Sequence, residues 1–253
     1  MNKTAKVHSI ETMGLVDGPG IRYVVFFQGC PMRCIYCHNP DTWEAGCKKA
    51  REVTVDYLIE DALKYQSYYK ASKGGVTASG GEPLLQKAFL VEYFKTLKES
   101  GIHTAIETSG FTAIDATTKE VLKYTDLVIL DIKASEVLHK QVTGQPIDRV
   151  LEFAKYVRDK KIPMWIRFVL VPGINDNKEE FARMGEIVRQ FDNVTKFDVV
   201  PFHQLGSHKW DALGAPYTLK NTKAATVKQA EIARKEILRG HPNPPPVSTT
   251  TAE

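Results

Sequence analysis

Within residues 28–40, QGCPMRCIYCHNP, the thiols of Cys30, Cys34 and Cys37 fall inside eight residues, and His38 follows the last of them. Three chemistries use parts of this pattern. Zinc takes Cys3His sets, but adjacent Cys37 and His38 are awkward as two vertices of one tetrahedron, and no second ligand pair follows at structural-zinc spacing. The string CIYCH is also the C-x-x-C-H of c-type haem attachment, which normally needs export and leaves Cys30 without a task. An iron–sulfur cubane normally takes four thiolates. Three would leave one iron without a protein ligand, and an open coordination position marks a metal site that binds substrate. Cys47, alone after WEAG, reads as an incidental thiol.

Other polar residues stand where apolar runs end. They include SGGEP (79–83), Glu107-Thr108, Asp131-Ile132-Lys133, Arg167 inside MWIRFVLV, and PFHQLG with His203. An isolated buried carboxylate needs a cation or donors, and a buried arginine needs an acidic partner. A structural ion pair of these acids with Lys133 or Arg167 is one way to meet both demands.

The elements that must position these residues alternate. β-branched or aromatic runs predict strands at 22–27, 75–79, 103–108, 126–132, 164–170 and 196–201. Apolar spacings of three and four predict helices at 55–70, 86–100 (stopped by Gly101), 115–124, 147–160, 177–191 and 222–239, the last ending at Gly240. Near-continuous apolar strands fed by helices make a parallel α/β sheet. Six such units in one domain, 1–240, wind either as a partial barrel or as an open doubly wound sheet. Periodicity does not separate the two. In both, the strand C-termini open on the face that carries the active site. The tail 241–253, HPNPPPVSTTTAE, has nothing to pack and is expected to be disordered.

Composition narrows the class. Of 253 residues 43% are hydrophobic and 25% charged, and the net charge is +4, with no basic block to suggest nucleic acid or a membrane surface. No apolar run reaches the ~20 residues of a membrane helix. The N-terminal MNKTAKVHSIETMG lacks a signal-peptide core, so a cytoplasmic protein is expected.

The C-x-x-x-C-x-x-C spacing, with aromatic Tyr36 before the last cysteine, resembles the radical S-adenosylmethionine (SAM) superfamily. Seven segments in order extend the resemblance to the activating enzymes of pyruvate formate-lyase: VDGPGIR (16–22), 26–43, GGVTASGGEPLLQ (74–86), GIHTAIETSGF (101–111), DLVILDIK (126–133), WIRFVLVPG (165–173) and PFHQLGSHKW (201–210).

That resemblance implies a partial (β/α)6 barrel with outer helices. Cys30, Cys34 and Cys37 would hold a [4Fe–4S] cluster whose fourth iron is chelated by SAM. Reductive cleavage would give methionine and a 5′-deoxyadenosyl radical, which takes a hydrogen atom from a glycine Cα of the target. Tyr36 and His38 would lie beside the adenine, or merely pack the loop. Ser79, Gly80, Gly81 and Glu82 would grip the methionyl end, Arg167 the SAM carboxylate or a nearby acid, and His203 the adenosyl group. Asp131 and Lys133 join the cofactor set. Glu107, Thr108 and Asp131 would bind a monovalent cation, with Glu107 standing where Asp is usual. Asp17 would contact the target peptide.

The absence of an inserted two-cluster segment after the cysteine motif favours the glycine loop of pyruvate formate-lyase as protein substrate. A flavodoxin- or ferredoxin-type donor and a monomer complete the expectation. The alternatives are an activase of another glycyl-radical enzyme or another radical SAM enzyme, and, from a different class, a zinc-binding structural or interaction module.

Overall fold

The computed structural model describes residues 3–46 and 50–246; Cys47 lies outside them. Among the described residues eight strands form one sheet in the order β3-β1-β2-β4-β5-β6-β7-β8, with β3 and β8 at its ends. The chain gathers into two compact units, Met1–Pro31 with Thr42–Ile129, and Met32–Asp41 with Leu130–Glu253. The sequence shows no sign of the last crossing, between Ile129 and Leu130, because it falls inside a strand, β6 (Leu127–Asp131), and not in a linker.

In the first unit, β2 (Arg22–Phe27), β4 (Gly75–Gly80) and β5 (His103–Thr108) run parallel, in register from Arg22 opposite Gly75 and Gly75 opposite His103. Their carboxyl ends therefore share one edge. β1 (Thr4–Gly14) pairs antiparallel with β2 and with β3 (Arg51–Thr54). Neither β1 nor β3 is among the expected strands. β1 mixes Lys, His, Ser, Glu and Thr among few apolar residues, so its hydrophobic pattern is weak.

The expected helix over 55–70 is two helices, α1 (Val55–Leu63) and α2 (Gln66–Ser72). The Tyr69 hydroxyl donates to the Ala62 carbonyl at the end of α1, and the Tyr65 ring packs 6.0 Å from that of Tyr23. The apolar spacing runs on through the break, so the pattern conceals it. α3 (Lys87–Glu99) buries Phe89, Leu90, Tyr93, Phe94 and Leu97, as the spacing predicts. Each such burial contributes roughly 2 kcal/mol. Gly101, at φ 70°, ends the helix. α4 (Ala116–Lys123) is capped by the Asp115 carboxylate, which accepts from the Thr118 N–H.

In the second unit, β7 (Met164–Leu170) and β8 (Val194–Pro201) are parallel, and the chain reaches them through α5 (His139–Thr143), α6 (Asp148–Asp159) and α7 (Lys178–Val188). β7 alternates strictly. Met164, Ile166, Phe168 and Leu170 are buried, while Trp165, Arg167 and Val169 share the half-buried face. That alternation is what lets Arg167 sit inside an apolar run.

α8 (Ser207–Ala212) and α9 (Val227–Ile237) complete the chain. α9 begins five residues later than expected, at a capping box in which Thr226 and Gln229 satisfy each other's backbone N–H. The tail does not begin loose. Arg234 donates to the carbonyls of Pro245 (2.8 Å) and Pro246 (2.9 Å), and Pro245 is buried. Residues 247–253 lie outside the described residues. No helix among the described residues is long and apolar enough to cross a membrane.

Candidate active site

The first unit builds its polar strand edge around Glu82. After β4 the chain turns through Gly80 and Gly81, and the N–H groups of Gly81 and Glu82 donate to the carbonyls of Phe27 (2.9 Å) and Gly29 (2.7 Å). A Cβ on Gly81 would stand 2.2 Å from the Gly29 oxygen, so only glycine allows this docking. The Cys30 N–H donates to the Trp43 carbonyl at 3.1 Å, which fixes the start of the cysteine loop.

The Glu82 carboxylate is fully buried and accepts four hydrogen bonds. They come from Leu84 N–H (3.1 Å), Thr108 Oγ1 (2.7 Å), Ser109 N–H (2.9 Å) and Ser109 Oγ (2.5 Å). Burial pushes its pKa up, and the donors from Ser109, Thr108 and Leu84 pull against that. Glu82 ties the β4 turn to the end of β5. Thr108, whose oxygen also accepts from Gly110 N–H (2.9 Å), is part of that tie. Ser79 Oγ donates to Glu107 Oε2 at 2.6 Å, so these two expected site residues meet each other.

Asp17 is buried, and its main-chain oxygen accepts from Thr77 Oγ1 at 2.7 Å. Sequence reasoning passed over Ser109, Thr77 and the wholly buried Arg22. Burial of a charge beside a threonine-bearing strand cannot be read from local pattern.

In the second unit the later part of the cysteine loop is held from two helices. The N–H groups of Arg33 and Ile35 donate to Thr143 (2.8 Å) and Val142 (3.0 Å) of α5. From α8, Trp210 Nε1 donates to the Cys37 carbonyl at 2.9 Å, and Lys209 Nζ reaches Asn39 Oδ1 at 2.7 Å and Asp41 at 3.5 Å. Cys34 is buried and Cys37 half-buried, with the Cys37 N–H bonded to the Cys34 carbonyl at 3.0 Å.

Lys133 pairs with Asp131 at 2.9 Å, both largely sheltered. This is the ion pair that the sequence offered as an alternative to cation binding. Burial alone would lower the Lys133 pKa. The charges of Asp131, Tyr36 and Cys34 outweigh it and hold the ammonium well above its ordinary value. Tyr36 is buried, and its hydroxyl finds no hydrogen-bond partner among the described residues. Burial pushes its pKa up, against the pull of Lys133.

His38 and His203 stack with ring centroids 4.2 Å apart, and His38 Nε2 lies 3.2 Å from the His203 carbonyl. Burial, then the neighbouring His203, lowers the His38 pKa, so the ring is neutral and donates that bond. Arg167 faces Asp198 in register on β8, where Asp198 also pairs with Lys196 at 2.8 Å and Lys196 lies over Trp165 at 4.3 Å.

Among the described residues no three His, Cys, Asp or Glu side chains are gathered in a geometry that could hold a metal ion. The test of fit is therefore the donor chemistry. Three soft thiols in one loop suit iron–sulfur ligation and exclude the hard oxygen sets of Mg²⁺ or Ca²⁺. The orphaned Tyr36 hydroxyl in the same loop is a buried polar group that a bound organic cofactor would satisfy.

Comparison with known proteins decides between the remaining classes. Residues 24–185 match the Radical SAM superfamily. The chain belongs to that superfamily. A pyruvate formate-lyase-activating enzyme of Staphylococcus epidermidis is 51% identical over 86% of this chain and 88% of its own. That of Staphylococcus aureus strain USA300 is 49% identical over 91% and 94%. Within the radical SAM superfamily the chain is thus an enzyme of the pyruvate formate-lyase-activating family. The crystal structure of Streptococcus suis SuiB bound to precursor peptide SuiA superposes with a TM-score of 0.64 over 92% of this chain and 48% of that one, at 17% identity. That likeness establishes the fold, the unclosed parallel α/β sheet of radical SAM type. The zinc-module alternative falls, since a structural zinc module is not a radical SAM enzyme.

Proposed function

We propose that this chain is a radical SAM activase that installs a glycyl radical on pyruvate formate-lyase. The observation that carries the reading is the three-thiol loop inside a chain about half identical, over most of its length, to enzymes named for that task.

In this reading Cys30, Cys34 and Cys37 hold a [4Fe–4S] cluster. Cluster and SAM, when bound and reduced, supply the hydrogen-abstracting carbon radical. The chain's own residues bind, orient and exclude. Gly80 and Gly81, fixed on Phe27 and Gly29, present backbone to the methionyl end of SAM, and Ser79 and Glu82 hold that turn in shape. Tyr36 offers its hydroxyl on the adenine side, with His38 and His203 as a stacked pair. Lys133, held by Asp131, directs positive charge toward Cys34 and the cofactor carboxylate, and Arg167 adds a second cation. A monovalent cation remains a proposal for Glu107 and Asp131, whose carboxylates already engage Ser79 and Lys133. Asp17 contacts the target peptide. A flavodoxin- or ferredoxin-type protein supplies the electron, in the cytoplasm, to a monomer.

The test is anaerobic. The chain is reconstituted with iron and sulfide, reduced, and mixed with SAM and pyruvate formate-lyase. The expected result is a glycyl-radical doublet in the electron paramagnetic resonance spectrum. Formation of 5′-deoxyadenosine without the doublet keeps the chemistry and discards the partner. Neither signal from protein with an intact cluster overturns the reading.

A further inference from the structure

Arg22 is the largest fully buried side chain among the described residues, and it opens β2 directly after the loop Asp17–Gly20. Its Nε donates to Thr77 Oγ1 at 2.9 Å and its Nη2 to the Val76 carbonyl; Nη1 lies 3.3 Å from His103 Nδ1 and 3.5 Å from the Pro19 carbonyl. Nη2 also reaches the His103 carbonyl at 3.5 Å, and none of these partners is a carboxylate. Among the described residues no carboxylate forms an ion pair with it. Burial lowers its pKa to about 10, while Tyr69, Asp17 and Asp126 act at longer range to hold it up. The guanidinium therefore stays charged at neutral pH.

A buried charge without an ionic partner is costly, and its neighbours indicate what that cost supports. Thr77 Oγ1, the acceptor for Nε, donates onward to the Asp17 carbonyl at 2.7 Å. Pro19 of the same loop faces Nη1. Gly18 lies so close over the guanidinium that a Cβ there would stand 3.1 Å from Nε, and its φ of +138° suits only glycine. The loop is laid on Arg22 and fastened through Thr77, and the nearest long-range counter-charge in that loop is Asp17 itself.

We propose that Arg22, acting through Thr77, is a positioning residue that presents the Asp17 carboxylate to the peptide of the protein substrate. The proposal rests on the reading of Asp17 as a peptide contact. Arg22 fixes the loop backbone directly at the Pro19 carbonyl and, through Thr77, at the Asp17 carbonyl. It touches neither cofactor nor peptide.

The test uses the full chain. Binding of a labelled synthetic glycine-loop peptide of pyruvate formate-lyase is measured by fluorescence anisotropy, with SAM affinity, thermal midpoint and activation kinetics alongside. The variants are Asp17→Asn, Thr77→Val, their double, and Arg22→Lys, which keeps the charge but loses the planar fork. Thr77→Val keeps the shape and removes only the hydroxyl. Asp17→Asn, Thr77→Val and Arg22→Lys are each expected to weaken peptide binding about tenfold, raising KM for the target while kcat at saturation and SAM affinity hold. The double variant is expected to lose no more than either single.

If Asp17→Asn binds peptide normally, the Asp17 reading fails and this one with it. If Asp17→Asn weakens binding while Thr77→Val and Arg22→Lys lower only the thermal midpoint, the Arg22 role alone is overturned and the buried arginine is a stability feature. Additive losses in the double variant also overturn it, since Thr77 would then act apart from Asp17.

Discussion

Glu82 shows how much of a residue's role depends on partners that the local sequence does not name. Its four donors leave no acceptor position on the carboxylate for a ligand, and two of them are backbone N–H groups that cannot reverse. In Glu82→Gln one carboxylate oxygen becomes an NH2, and a donor then faces a donor whichever way the amide turns. The expected cost is about 1–3 kcal/mol, read as a lower urea midpoint in equilibrium denaturation. A variant that unfolds at the parental midpoint would remove the tie between β4 and β5 from consideration. The chemical type of this residue was legible in SGGE. Its occupation was not, because Ser109 lies 27 residues away and only the parallel pairing of β4 with β5 brings the two together. Asp131 and Lys133 are the opposite case. Two residues apart on the same strand end, they formed a pair that sequence alone could name.

At the scale of elements, the helices that hold the cysteine loop are the ones that sequence reading missed. α5 has five residues and α8 six, shorter than the window over which a 3.6-residue period becomes visible. The longer helices were legible because each turns a run of apolar side chains to the core, even α4 with only Val121 and Leu122. The errors among them, the break at Lys64–Tyr65 and the late start at Thr226, are cap geometry that continuous periodicity hides. The short helices nonetheless act on the site. The indole N–H of α8's Trp210 fixes the Cys37 carbonyl, and its ring stacks on Tyr217 at 5.0 Å. Trp210→Phe keeps an aromatic ring on Tyr217 and removes the hydrogen bond. The reconstituted variant is expected to lose its visible iron–sulfur absorbance to a chelator about fivefold faster than the parent, the equivalent of one ordinary hydrogen bond. Equal rates would mean that α8 does not hold the third cysteine in place.

For the whole molecule, the six expected strands and the α/β class were legible because β2, β4, β5 and β6 are nearly continuous buried runs, and β7 and β8 keep enough apolar residues to read as strands. β1 and β3 were not, since polar strands at one end of the sheet carry little periodic signal. The division into units was hidden for a different reason. The chain passes between the units after Pro31, after Asp41 and after Ile129, and the last of these lies in the apolar run LVIL, with none of the Gly, Pro or charge of a linker. Each unit is therefore assembled from two stretches of sequence, and the boundary cuts β6 between Ile129 and Leu130. A fragment ending at residue 129 would keep β1 to β5 but only half of β6, the strand next to β5 in the sheet. It would leave β5, with Ala105 and Ile106 fully buried in the intact chain, beside an incomplete edge. Its loop residues 32–41 would also lack α5 and α8, which hold them. The expected behaviour of a 1–129 fragment is aggregation, or a denaturation curve without a cooperative transition, followed by circular dichroism against the full chain. A sigmoidal, reversible transition from the fragment would instead make the first unit an independent folding domain. The boundary inside β6 would then be a true domain border that a continuous sheet conceals.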